Sequence, residues 1–382
     1  MKIVADENIP LLKECFGKMG DVVALLGRGI TAADVHDADV LLVRSVTKVD
    51  ELLVNNTSLK FVATATAGVE HIDKELLKRL GISFFNAEGC NATAVSEYVL
   101  SAIDILSERH CFNLRSRTFG IVGMGQVGSR LVNIFQRLGL MVLVTDPLCE
   151  KVEGVEYVSL EKLIECCDVI SLHTPLTVDG PFSTHHMFKK PELEAMRDGT
   201  VLINASRGAV IDNLALRQCL EGGKDLKVVM DVWEHEPDID CELLKLVDLA
   251  TPHIAGYSLD GKITGTEMIY KAFCKYFGLP ARVRTAAITP IPPLRMMGFV
   301  DNSTVENVTS TAIRAVYDIR RDDAWMRQLL LMDKDKARHA FDRMRANYPV
   351  RREFSTLRIK LKRCSEEVRE KISSLGFNVI DE

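Results

Sequence analysis

Thr118-Phe-Gly-Ile-Val-Gly-Met-Gly-Gln-Val-Gly128 is the stretch on which the fold turns. An apolar, β-branched run ends at Val122 and passes straight into Gly123-x-Gly125-x-x-Gly128, and Leu131, Ile134, Phe135 and Leu138 then recur at helical spacing. The pattern predicts a strand over 118–122, a glycine turn and a helix over 129–138, which together open a parallel βαβ unit. In such a turn the first glycine permits a tight bend and the second lets backbone approach a pyrophosphate. The third lets helix and strand pack closely, and the helix N-terminus favours an anion. Asp146 follows the next expected strand, 141–145, and lies 18 residues after Gly128. A carboxylate there accepts hydrogen bonds from a ribose 2′-hydroxyl and repels a 2′-phosphate, which points to NAD rather than NADP.

Working outward, the first ninety or so residues alternate expected strands at 2–5, 40–44 and 60–65 with helical patterns. A helix over 92–108 carries Val95, Val99, Ala102, Ile103 and Leu106 on one stripe. Beyond the glycine turn, strands are expected at 168–173, 201–204, 228–231 and 249–250, with helices at 160–166 and 262–277. Alternation of this kind implies parallel sheets covered by helices. Prolines 290, 292 and 293 mark a linker. The tail reads as helices at 302–319 and 335–348, then strand, helix and strand at 356–361, 366–375 and 377–380. The predicted class is α/β, with two Rossmann-like, doubly wound parallel-sheet domains and a small α+β C-terminal domain.

Composition narrows the function classes. At roughly 100–200 residues per domain, a chain of this length suggests two or three domains. Hydrophobic residues make up 47% and charged residues 26%, an ordinary globular mix that excludes a mainly disordered chain. The net charge of −5 argues against a nucleic-acid partner. Residues 1–290 hold 30 basic and 39 acidic side chains and residues 291–382 hold 18 and 14, so the tail is mildly basic and reads as solvated surface. Ten cysteines form no Cys-x-x-Cys, and no apolar run approaches the ~20 residues that span a bilayer. The start, Met-Lys-Ile-Val-Ala-Asp-Glu, lacks the apolar core of a secretion signal, so a cytoplasmic protein without a membrane partner is expected. His185 and His186 are adjacent rather than four apart, so no metal is expected. Gly256-x-x-x-x-Gly261-Lys262 resembles a phosphate loop, but Ile263 offers no hydroxyl for magnesium and no clear strand enters it.

Three groups near expected strand ends can carry chemistry. His253, in Thr251-Pro-His-Ile-Ala-Gly256, suits proton transfer near neutrality, and Glu236, 17 residues earlier, could orient it. Arg207, in Asn204-Ala-Ser-Arg-Gly208, could grip a carboxylate with two parallel hydrogen bonds. Each alone has an ordinary surface reading, and spacing does not bring them together.

Asn204-Ala-Ser-Arg-Gly-Ala-Val-Ile-Asp212, Asp231-Val-Trp-Glu-His-Glu-Pro237 and Thr251-Pro-His-Ile-Ala-Gly256 resemble the three signatures of the D-isomer-specific 2-hydroxy-acid dehydrogenases, and Leu172-His-Thr-Pro-Leu176 adds to them. The resemblance implies that Arg207 binds a substrate carboxylate, that Glu236 pairs with His253, and that His253 is the acid/base. It also implies a discontinuous substrate domain, 1–92 and 256–290, around an NAD-binding domain, 93–255, followed by a C-terminal domain, 291–382.

A narrower set, Val43-Arg-Ser-Val-Thr-Lys-Val49, Ala63-Thr-Ala-Thr-Ala-Gly68, Glu88-Gly-Cys-Asn-Ala92 and His253-Ile-Ala-Gly-Tyr257, resembles the branch of that family acting on 4-phospho-D-erythronate in vitamin B6 synthesis. In the tail, Val316-Tyr-Asp-Ile-Arg-Arg-Asp-Asp323 and Arg351-Arg-Glu-Phe-Ser355 resemble that branch's dimerisation domain. The resemblance implies a homodimer and substrate contacts at Ser45, Thr66 and Tyr257. It implies cofactor contacts at Gln126, Val127, Asp146, Thr174, Ala205, Ser206, Arg207, Asp231 and Gly256, beside Gly123, Gly125 and Gly128. Val69-Glu70 stands where that branch commonly has threonine and aspartate. A phosphorylated substrate needs cationic or amide partners. Arg44 and Lys48 flank Ser45, and Arg351 or Arg352 of a partner subunit could also serve. The alternatives are a 3-phosphoglycerate dehydrogenase, disfavoured by a tail that opens with helices, and a non-catalytic NAD(H)-sensing protein.

Overall fold

The computed structural model describes residues 1–301 and 303–380. The chain forms two compact units, Met1–Ala92 with Ser258–Ile291, and Thr93–Tyr257 with Pro292–Glu382. The first holds a five-stranded parallel sheet, β1 Lys2–Asp6, β2 Asp21–Leu25, β3 Val40–Val43, β4 Phe61–Thr64 and β5 Ser83–Asn86, in the order β2-β1-β3-β4-β5. Sequence reading found β1, β3 and β4 but not β2 or β5. Both are edge strands, and neither has the fully buried run of β3 or β4. The return segment supplies the helix Leu259–Tyr276, whose Ile269, Tyr270 and Phe273 pack on Ile3, Phe16 and Phe61. A Cβ on Gly265 would lie 2.6 Å from the Ala65 carbonyl, so only glycine lets this helix touch the chain just past β4.

The second unit holds seven parallel strands: β6 Thr118–Val122, β7 Met141–Thr145, β8 Glu156–Tyr157, β9 Val169–Leu172, β10 Thr200–Asn204, β11 Leu226–Met230 and β12 Leu249–Ala250. Their order is β12-β11-β10-β9-β6-β7-β8, so the direction of winding reverses between β6 and β9. Ligands of open α/β sheets bind outside the strand C-termini at such a switch point. Every residue of β10 is buried, Val201 and Ile203 in one core and Leu202 in the other, as a strand covered on both faces requires. The helix after the glycine turn is Gln126–Arg137, beginning three residues before the expected start at 129.

The tail adds a third sheet, β13 Met296–Phe299, β14 Arg358–Leu361 and β15 Asn378–Ile380, in that order and all parallel. No local pattern marks β13, which pairs with residues some sixty positions away. The single helix expected over 302–319 is shorter and ends early. It spans Val305–Val316, and a second helix, Ile319–Met326, begins under an Asp318 cap. Its expected first residue, Asn302, lies outside the described residues. Far from being all solvated surface, the tail feeds both cores of the second unit, with Val308, Ile313 and Phe354 in one and Met326, Phe341 and Met344 in the other. It also covers the sheet edge, since the Ala250 amide donates to Asp323 Oδ1 at 2.8 Å and Arg327 Nη2 to the Val247 carbonyl at 2.7 Å.

Arg351, expected at a subunit boundary, is instead 2% exposed. Its guanidinium stacks 3.8 Å from the Tyr317 ring centre and donates to the carbonyls of Ala255, at 3.1 Å, and Ala94. It therefore ties the tail to its own chain. Arg351→Met leaves two buried carbonyls without these donors and should cost about 2–4 kcal/mol in urea unfolding. Arg320→Ala, at an exposed pair with Asp318, should change stability by under about 0.5 kcal/mol.

Candidate active site

The glycine turn divides its labour. Gly123 has φ 95°, and a Cβ there would lie 2.6 Å from the His173 carbonyl, at the end of the switch-point neighbour β9. A Cβ on Gly128 would lie 1.9 Å from the Gly123 carbonyl, so helix and turn close only on glycine. Gly125 has nothing within 4 Å of that position, so the protein's own packing does not require glycine there. The open space faces the N-terminus of a twelve-residue helix, where an anion is favoured. Asp146 is half-buried. Its Oδ2 accepts from the Met124 amide at 2.8 Å and its Oδ1 from the Leu148 amide at 3.0 Å, which fixes the carboxylate beside the turn. Beyond β9, the buried Thr174 hydroxyl has no partner among the described residues. An orphaned hydroxyl, an empty glycine cradle and a fixed carboxylate together fit a dinucleotide.

Three loops then carry Arg207, Glu236 and His253. After β10, Asn204 Oδ1 accepts from the Ser206 amide and hydroxyl at 3.1 and 2.8 Å, and Asn204 Nδ2 donates to the Arg207 carbonyl at 3.0 Å. This clamp shapes Ala205, Ser206 and Arg207. A Cβ on Gly208 would lie 2.0 Å from the Trp233 carbonyl, so this loop runs in backbone contact with the one bearing Glu236. Beyond β11, Asp231 is 1% exposed and faces inward rather than outward. Its carboxylate accepts from the Thr251 hydroxyl at 2.6 Å and the amides of Ile254 at 2.7 Å and Ala255 at 3.0 Å, while its carbonyl accepts the His253 amide at 2.7 Å. Burial raises its carboxyl above the ordinary range, though His253 and these donors pull the other way. Held in this way, His253 adopts φ 57°, a conformation uncommon for a side-chain-bearing residue and concentrated at functional sites.

Glu236 and His253, which sequence spacing could not join, meet at 2.7 Å between Oε2 and Nδ1. Glu236 Oε1 accepts from the Trp233 amide at 2.8 Å. Burial pushes its carboxyl up, but His253, these hydrogen bonds and Arg345 outweigh that and hold it below the usual carboxylate range. An ionised carboxylate only accepts, so a neutral His253 must carry its proton on Nδ1, leaving the Nε2 lone pair available. Arg207 Nη1 donates to the Ser206 carbonyl at 2.8 Å. Gly256 and Tyr257 are half-buried just beyond.

In the first unit, Ser45 is exposed beyond β3, at the switch between β1 and β3. Arg44 forms a bidentate pair with the fully buried Asp6, at 2.9 and 3.3 Å. Lys48 points to Asp50 at 3.0 Å and is largely exposed. Thr66 Oγ1 lies 2.7 Å from Thr64 Oγ1 and donates to the Gly68 carbonyl at 3.2 Å. The Val69-Glu70 variant sits in the same loop, closed by the Ile72 amide on the Val69 carbonyl at 2.9 Å. Lys262, set aside with the false phosphate loop, lies in the helix Leu259–Tyr276. Burial, and then the charge of Arg44, lower its ammonium below the ordinary lysine range.

Two groups escaped sequence reading. Arg345, from the tail, reaches Glu236 and Tyr257, and nothing in its helical spacing signalled that. Glu234 Oε1 accepts from His186 Nε2 at 2.7 Å, and with His185 the three offer ligand atoms within 4.8 Å of one another.

Residues 101–255 match the NAD-binding domain of D-isomer specific 2-hydroxyacid dehydrogenases, and residues 288–376 match a domain of unknown function (DUF3410). The chain is 50% identical to erythronate-4-phosphate dehydrogenase of Ectopseudomonas mendocina, over 98% of this chain and 99% of that protein. To the Hahella chejuensis enzyme of the same name it is 47% identical, over 99% of each. Among solved structures it resembles NAD+-bound 3-phosphoglycerate dehydrogenase of Entamoeba histolytica, with a TM-score of 0.63 and 26% identity over 73% of this chain and 95% of that one. D-lactate dehydrogenase of Aquifex aeolicus, complexed with NAD and lactic acid, gives 0.58 and 25% over 73% and 96%.

Gly125→Ala should leave the thermal midpoint nearly unchanged yet weaken dinucleotide binding at least about tenfold in calorimetry, because its methyl enters the ligand's space. Gly128→Ala, which meets backbone, should lower both.

Proposed function

Since this chain belongs to the erythronate-4-phosphate dehydrogenase family, within the D-isomer-specific 2-hydroxyacid dehydrogenases, we propose that it oxidises 4-phospho-D-erythronate at C2 to (R)-3-hydroxy-2-oxo-4-phosphooxybutanoate in vitamin B6 synthesis. The observation that carries the chemistry is the 2.7 Å contact between Glu236 and His253. His253 Nε2 takes the C2 hydroxyl proton, and Glu236 fixes the imidazole's tautomer and balances the charge it gains. Arg207 holds the substrate carboxylate and, in the reverse direction, polarises the ketone. NAD, when bound, accepts the hydride that leaves C2. Gly123, Gly125, Gln126, Val127 and Gly128 would hold its pyrophosphate and Asp146 its ribose, with Thr174, Ala205, Ser206, Asp231 and Gly256 lining the remainder.

Ser45, Thr66 and Tyr257 are the proposed substrate contacts. Arg44, fixed by Asp6, is the cation beside Ser45, and the neighbouring charge of Lys262 supports a second cation for the phosphate. Lys48, paired outward with Asp50, is a weaker candidate, and buried Arg351 is withdrawn. The proposed domains are 1–92 with 256–290 for substrate, 93–255 for NAD and 291–382 for homodimerisation. Exposed Val300 and Val350 support a tail-borne interface, to be checked by light scattering. A cytoplasmic location is part of the proposal. Among the described residues no helix is long and apolar enough to cross a membrane.

The phosphoglycerate reading is less well supported. The phosphoglycerate dehydrogenase structure spans 73% of the chain, whereas the curated relatives span the tail as well. Purified protein offered 4-phospho-D-erythronate, 3-phospho-D-glycerate and D-lactate should reduce NAD efficiently only with the first. Equal turnover of all three, or of none, rejects the assignment. His253→Ala should lower kcat by about 10²–10⁴-fold. Lys262→Met should raise KM at least about tenfold for the phosphorylated substrate, with much less effect on unphosphorylated D-erythronate.

A further inference from the structure

Arg345 occupies the last turn of the helix Lys334–Ala346, where a cation also suits the helix dipole. Ala337, Ala340, Phe341 and Met344 seat that helix in the same core as Trp233, Leu243 and Leu244, so its C-terminal end is held against the loop bearing Glu236. From there Arg345 Nη2 donates to the Tyr257 hydroxyl at 3.4 Å, and Nη1 lies 4.0 Å from Glu236 Oε2. That same oxygen is 2.7 Å from His253 Nδ1. Arg345 Nε is buried with no partner among the described residues, so the guanidinium is held here although its own hydrogen bonding is incomplete. Tyr348, three residues further along the chain, packs edge-on against Tyr257 at 5.8 Å and turns its hydroxyl to Asp322.

We propose that Arg345, supplied by the tail, is a positioning residue of the reaction: it bridges Glu236 and Tyr257 and disfavours a second positive charge on His253. The inference rests on the acid/base reading of Glu236 and His253. Oxidation of an alcohol needs the imidazole to arrive neutral, whereas the carboxylate of Glu236 alone would favour the imidazolium. A fixed guanidinium beside the same carboxylate oxygen opposes this and leaves the tautomer intact. Among the described residues, the other charged or titratable groups on the surrounding elements include Asp231 beyond β11, Glu234 and His235 in the Glu236 loop, Arg207 beyond β10, Tyr257 in the His253 loop, and Tyr98 of the helix Ala92–Arg109. Tyr98 reaches Asp231 through Thr251. Arg345 is the cation that the tail places at Glu236, which gives that domain a part in the chemistry.

The test follows the imidazole titration of His253 by NMR, assigned with His253→Gln, in the wild type, Arg345→Met and Arg345→Lys. The methionine variant should titrate about one pH unit higher, and lysine should restore most of the difference. The acidic limb of kcat/KM should move in the same direction. Should the methionine variant not fold, Arg345→Gln, which keeps a donor for Tyr257 without the charge, carries the same arm. An unmoved titration, or a lysine variant that behaves like methionine, overturns the proposal. So does a rise in KM confined to the phosphorylated substrate with the titration unchanged, which would make Arg345 a phosphate ligand. The titration needs no turnover, so a protein inactive on 4-phospho-D-erythronate would reject the proposed function and still report on Arg345.

Discussion

The carboxylate of Asp231 gathers the segment on which the candidate chemistry depends. It sits at the end of a strand buried on both faces and collects the Thr251 hydroxyl and the Ile254 and Ala255 amides, while its carbonyl takes the His253 amide. A buried carboxylate is costly unless such donors surround it. The surrounding chain therefore has little freedom, and His253 is held in a left-handed conformation that its backbone would not choose alone. Once His253 is fixed, Glu236 needs only the Trp233 amide to meet it. The pair is thus a product of strand register and loop closure, reinforced where Gly208 lets two loops touch through their backbones.

Both sheets exploit the same geometric fact. Reversal of strand order opens a crevice at the strand C-termini. In the second unit Gly123 and Thr174 flank it, and in the first Asp6 and Arg44 do. The empty space at Gly125 and the fixed guanidinium of Arg44 offer opposite means of holding an anion, one by bare backbone and one by a paired cation. The tail belongs to the same economy of placement. Its helices complete both cores of the second unit and cover the edge strand β12, and one of them carries Arg345 to Glu236.

Legibility followed the range of the interactions involved. The glycine turn, β6 and β10 are local, and their residue types and spacing were sufficient. Edge strands β2 and β5 are short and half-covered, so the run of buried residues that marks a central strand is absent. Strand β13 exists only through its pairing with β14, so no local signal precedes it. The Asn204 clamp was visible as a residue inside a signature, but its three side-chain hydrogen bonds were not. Arg351 shows the limit most clearly, because an arginine in a basic stretch reads as surface, whereas this one is buried, stacked on Tyr317 and hydrogen-bonded to two carbonyls.

From sequence alone came the α/β class, the glycine turn, the candidate ribose-binding acid Asp146 and the candidate residues Arg207, Glu236 and His253. These follow from backbone sterics and side-chain chemistry, which a few consecutive residues carry in full. Tertiary structure alone decided that Glu236 and His253 share a hydrogen bond, that Asp231 faces inward, that Arg351 is interior and that Arg345 stands at the site. Those outcomes depend on residues between 17 and 257 positions apart along the chain, and packing rather than any local pattern sets such distances.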